Sequence, residues 1–137
     1  MTTETSQPYV PNVTDAQPIA ERLNSICKDC LRQVWAIRDT LQTEMTPAQM
    51  ADARMRLTGF YSTLTSAFNK AEEMNTRKWI EVRPEYNSDT RATKAVEITD
   101  LGILAKKLKN ELRAIEKMIS SLKQRIEIAQ GEARNQY

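Results

Sequence analysis

Apolar residues first recur in this chain at Ile19, Leu23, Ile26, Cys30, Val34, Ile37 and Leu41, always three or four apart. That spacing lines one face of a helix and predicts a first helix over about 18–44. Thr14 or Asp15 can cap its start, and Pro18 fits its first turn. A second helix opens at Thr46-Pro47-Ala48-Gln49. Threonine stands at the N-cap, proline at the first helical position and glutamine where a capping box closes. Met50, Ala53, Leu57, Phe60, Tyr61, Leu64, Phe68 and Ala71 then share a face, predicting a helix over 47–80. Arg83-Pro84 stops it, because proline lacks an N–H and restrains the residue before it. Gly59 weakens its middle by about 1 kcal/mol relative to alanine and marks a place for a kink.

The stretch RPEYNSDTRAT, 83–93, has no apolar period and is expected to be an exposed loop. A third helix is predicted over 94–134. Leu101, Leu104 and Leu108 open its apolar seam. Leu112, Ile115, Ile119, Leu122, Ile126, Ala129 and Ala133 continue it four and three apart, as a short coiled-coil-like heptad run. A seam this long on a small chain suggests that Leu108, Leu112, Ile115, Ile119, Leu122 and Ile126 pack partly on another subunit. Met118 and Ile128, off the narrow seam, either point the same way or add contacts to the chain's own core. The fold expected is all-α: a helical hairpin plus a long third helix, oligomeric. Residues 1–15, polar and proline-spaced, read as a flexible leader, and 16–137 as a single helical domain.

Composition narrows the function. The 137 residues are 40 % apolar and 28 % charged, a globular balance for one domain. Three glycines leave no glycine-rich phosphate loop, and the absence of histidine removes the commonest general base and most zinc sites. Glu72 and Glu73 are adjacent and point to different sides of a helix, so they do not pair as catalytic carboxylates. The expectation is a protein that is not an enzyme and needs neither metal nor cofactor. The N-terminus has neither the basic nor the apolar region of a signal peptide, and no apolar run is long enough to span a bilayer, so a cytoplasmic location is expected. Net charge is +2, unevenly spread: residues 1–45 carry four basic and six acidic groups, whereas 46–94 and 95–137 each carry eight and six. The basic two-thirds hints at an anionic partner.

Cys27-Lys28-Asp29-Cys30 has redox-motif spacing but lies within a helix, and the chain has no further thiol or imidazole to complete a zinc site. Both cysteines are expected to be small core side chains. Arg54 and Arg56 fall about 200° apart around the helix, one at either edge of the apolar stripe. There they either cover the core edge with their stems or offer bidentate contacts to phosphate. Arg77, Lys78 and Trp79 lead into Arg83, Tyr86, Arg91 and Lys94: either these combine cations for phosphates with π faces for bases, or Trp79 and Tyr86 close the end of the bundle and the charges are solvated. Lys106, Lys109, Arg113 and Lys117, with Lys107 beside them, form a basic stripe opposite the third seam, read as a solvated face.

The string Arg54-Met55-Arg56-Leu57, followed by Phe60-Tyr61-Ser62, resembles the basic-x-Arg-Leu then aromatic-Tyr-Ser motif of the UvsY-like recombination mediator proteins of T-even-like phages. A weaker likeness covers about 93–126, with Gly102 to Leu104 and the run Ala114, Ile115, Ile119. The resemblance implies a small helical protein that assembles into a ring in the host cytoplasm. It implies single-stranded DNA binding and help in loading a strand-exchange recombinase onto strands covered by single-strand-binding protein. Arg54 and Arg56 would then be the first phosphate contacts, with Arg77, Lys78, Trp79 and Arg83 behind them. The alternative is a structural or assembly protein, a virion component or helical scaffold, that does not bind DNA.

Overall fold

The computed structural model describes residues 16–135, and all its regular structure is helical. Helix α1 spans Ala16–Thr40, α2 Pro47–Val82, α3 Asp89–Glu97 and α4 Asp100–Asn135, with a short 3₁₀ turn at Arg83–Glu85. The expected leader and the caps proposed at Thr14 and Asp15 lie outside the described residues.

Helices α2 and α4, 36 residues each, are about 54 Å long at 1.5 Å per residue. They form an antiparallel hairpin and make the principal packing of the fold. Two cross-links fix its register. The Asn75 side-chain amide donates to the Leu101 carbonyl at 3.1 Å, and the Tyr61 hydroxyl donates to the Glu116 carboxylate. Helix α1 lies against both long helices. Its hydrogen bonds to α4 lie along one flank: the Trp35 indole N–H donates to Glu111 at 3.4 Å. Further along that flank, Arg125 donates to the Leu41 carbonyl at 3.0 Å, satisfying a carbonyl just past the end of α1 that has no helical partner.

Leu31, Val34, Leu57, Leu64, Met74, Leu108, Ile115 and Leu122 are all but completely buried. Each such side chain contributes roughly 1.5–3 kcal/mol. The third seam is therefore occupied within the chain. Leu108, Leu112, Ile115 and Leu122 sit in a single core with α1 and α2, and Ile119, Ile126 and Met118 pack half-buried against it. Leu108, Leu112, Ile115 and Leu122, expected to pack partly on another subunit, are buried by the chain's own helices, whereas Ile119 and Ile126 keep part of their surface. Ile128 is 61 % exposed.

Other boundaries also move. Helix α1 ends at Thr40, not Glu44; the hydroxyls of Thr40 and Thr43 donate to the carbonyls three residues back and close the turn. Ile26 is 46 % exposed, and Cys27 and Leu31 take the core positions beside it. The Thr46 capping box forms as expected, with contacts of 3.1 and 2.9 Å to Gln49. Helix α2 runs unbroken through Gly59.

The third predicted helix is two helices, and the expected loop contains part of the first. Ser88 caps α3 by accepting the Arg91 N–H at 3.2 Å, and Ala92 and Val96 bury its inner face. The chain then turns a tight corner. The Thr99 hydroxyl donates to the Val96 carbonyl at 2.6 Å and accepts the Gly102 N–H at 3.1 Å, which caps α4. A Cβ on Gly102 would lie 2.2 Å from the Val96 carbonyl oxygen and 2.7 Å from that of Glu97. Only glycine permits this approach without displacing the backbone.

Candidate nucleic-acid interface

The predicted contact residues occupy two separate parts of α2. Arg54 and Arg77 are 23 positions apart, about 35 Å along the axis, so a single subunit does not bring the two groups together. Arg54 is half-buried and Arg56 exposed. Neither side chain forms an ion pair among the described residues. Arg54 lies about 20° from Tyr61 around α2, on the flank that meets Glu116. Arg56 is on the other edge, lining a groove of about 580 Å³ between the end of α1 and the start of α2, together with Glu44 and Asp52.

The second group is more engaged. Arg77 bonds Glu73 at 2.9 Å, and Lys78 approaches Glu81 at 3.9 Å. Arg83 bonds the Asp89 carboxylate and donates to the Tyr86 carbonyl at 2.8 Å, clamping the turn between α2 and α3. The Trp79 indole N–H donates to the Thr93 hydroxyl at 3.1 Å, tying α2 to α3. These contacts are a structural use for Arg83 and Trp79. The half-exposed i,i+3 and i,i+4 pairs hold their cations loosely, at a few tenths of a kcal/mol each.

Trp79 also lines a groove of about 1050 Å³ between α2, α3 and α4. It is lined by Phe68, Glu72 and Trp79 from α2, Glu97 from α3, and Lys106, Lys107 and Lys109 from α4. Ile98 and Ile103 at its mouth are 77 % and 58 % exposed.

Sequence reasoning passed over what the fold does to the charges of α4. Between Leu101 and Ile126 this helix carries seven basic residues and two acidic ones, Glu111 and Glu116. Each of these carboxylates accepts a hydrogen bond from an aromatic side chain of another helix, Glu111 from Trp35 and Glu116 from Tyr61. Both are thereby held to the flanks of the core. Lys106, Lys109, Arg113 and Lys117 are exposed and make no ion pair among the described residues. The spacing of the stripe was visible in the sequence; the partners that draw its acids aside come from helices 55 and 76 residues away.

The hydrogen bond to Glu116, with some burial and the nearby negative charge, raises the Tyr61 hydroxyl above its usual 10.0. Burial is the first cause that pushes the Cys27 and Cys30 thiols above their usual 9.0. Both sit in the core as free thiols. No three His, Cys, Asp or Glu side chains come together as a metal site among the described residues. No described helix is long and apolar enough to cross a membrane. No family model, curated protein or solved structure matches the chain.

Proposed function

We propose that this chain is a non-enzymatic, single-stranded DNA-binding recombination mediator. It acts as a homo-oligomer and helps load a strand-exchange recombinase onto strands covered by single-strand-binding protein. The observation that carries the reading is the state of the two motif arginines. Arg54 and Arg56 stand at the solvent edges of α2 with no ion pair among the described residues, so their guanidinium groups are available to phosphates. The likeness of the segment around them to the UvsY-like motif supplies the biological role. Assembly into a ring would multiply a weak contact per subunit by avidity, so a chain of net charge +2 still holds a strand.

Fluorescence anisotropy of a labelled single-stranded oligonucleotide, titrated at low and moderate salt, tests this. Binding that weakens steeply with salt and is impaired by Arg54→Ala with Arg56→Ala is the expected result. The second reading, a helical assembly protein without DNA binding, draws on the exposed Ile98 and Ile103 at the mouth of the larger groove. Absence of binding at low salt, with the oligomer intact, would favour that reading.

A further inference from the structure

We infer that a single DNA strand runs along the flank of the α2–α4 hairpin that α1 leaves open, with its phosphates on Lys106, Lys109, Arg113 and Lys117, continuing to Lys123 and Arg54. The inference rests on the DNA-binding reading above and says which surface of the subunit does the binding.

Three observations carry it. First, the stripe is one-sided. At 100° per residue its four members fall within about 100° of Glu116 around α4 and about 120–160° from Glu111. Glu116 meets α2 and Glu111 meets α1, so the stripe occupies the outer and α2-facing side, away from α1. Second, the cations of the stripe are not ion-paired. The only acids of this stretch of α4 are held by Tyr61 and Trp35, and the four cations make no ion pair among the described residues. Their charge is satisfied by mobile counterions, whose release on phosphate binding drives association with nucleic acids. Third, the track continues onto α2. The register fixed by Tyr61–Glu116 and Asn75–Leu101 sets Arg54 opposite the exposed Lys123, on the same flank as Tyr61.

From Lys106 to Lys123 the track is about 25 Å long. That accommodates about seven nucleotides at the 3.4 Å per residue of a stacked strand, and fewer if the strand is stretched. Neighbouring cations of the stripe are about 4.5–6 Å apart along the axis, so each can take a separate phosphate. Of the two motif arginines this track takes Arg54; Arg56, on the opposite edge of α2 beside Glu44 and Asp52, is off it, so the track assigns a loss in the Arg54→Ala, Arg56→Ala double variant to Arg54.

The test compares two variants with the same change in net charge. One carries Lys106→Gln, Lys109→Gln, Arg113→Gln and Lys117→Gln. The other carries Arg22→Gln, Lys28→Gln, Arg32→Gln and Arg38→Gln, four exposed positions of α1. Glutamine is a good helix former, and circular dichroism and size-exclusion chromatography check that fold and assembly persist. Anisotropy with a labelled oligo-dT is measured across a salt series. The α4 variant is expected to bind at least tenfold more weakly at low salt, with its log–log salt slope shallower by about 3, as four lost contacts at about 0.7 each require. The α1 variant is expected to keep the parent slope. The single variant Arg113→Gln, which perturbs the helix least, is expected to lose about 0.7 of the slope. Parent-like binding by the α4 variant, or equal losses in both quadruple variants, would overturn the track while leaving DNA binding in place. A parent protein that does not bind at low salt would instead remove the DNA-binding reading, and the track with it.

Discussion

The Tyr61 hydroxyl donates to the Glu116 carboxylate across the α2–α4 interface, near the middle of both helices. The bond fixes the register of the hairpin and raises the phenol above 10.0. Tyrosine absorbance followed through an alkaline titration should therefore show Tyr61 ionising late. Glu116→Gln should bring it back towards 10.0, because the carboxylate that opposes the phenolate is gone. A phenol raised in the folded state favours folding less once the unfolded chain begins to ionise. Its contribution is thus complete below about pH 10 and declines above it.

Gly102 and Gly59 should respond in opposite directions to alanine. At Gly102 the new methyl would meet backbone carbonyls of Val96 and Glu97 that have no freedom to move away. The corner between α3 and α4 would have to open, at a cost of about 1–3 kcal/mol or more. At Gly59, inside α2, an added Cβ meets nothing within 4 Å. Gly59→Ala should stabilise the chain by up to about 1 kcal/mol. Urea midpoints of the two variants check both signs.

Burial of Cys27 predicts an alkaline loss of stability. Its thiol is raised in the folded state chiefly by desolvation. The unfolded chain loses this proton first, so stability should fall as pH climbs past about 9, and Cys27→Ala should lessen that fall. A thiol reagent at neutral pH should label Cys27 far more slowly in the native protein than in urea.

Since the third seam is satisfied inside the chain, Ile115→Ala and Leu122→Ala should each cost about 2–5 kcal/mol of folding stability. Both residues are fully buried among α1, α2 and α4. The cost should be the same at protein concentrations a hundredfold apart, as measured by urea unfolding. A loss that vanished at high concentration would instead place these side chains between subunits.

Most of the helical framework was legible because it is written locally. The Thr46–Gln49 box is a four-residue signal, and α2 starts where the signal says. The break between α3 and α4 was harder to see. Leu101, Leu104 and Leu108 keep helical phase with the residues after them, while α3 buries only Ala92 and Val96, too few positions to show a period. Thr99-Asp100 is itself an N-cap signal, and Gly102 three residues on marks the corner. The seam was legible as apolar but not as internal or external, because heptad spacing does not say which helix fills it. At the candidate interface, spacing located the cations and could not tell which are engaged. Arg83 is claimed by a turn six residues away, whereas Lys106, Lys109, Arg113 and Lys117 are left clear by tertiary hydrogen bonds to the acids between them.

A net charge is a sum, and the field around a molecule is not. With Glu111 and Glu116 drawn to the flanks of α4, a chain only two charges from neutrality presents a run of cations along one face of that helix. Its electric dipole is correspondingly lopsided. A cation-exchange resin meets a face rather than a total. At neutral pH this protein should be retained more strongly than its isoelectric point of about 8.6 suggests, and it should elute early once the residues of that face are neutralised.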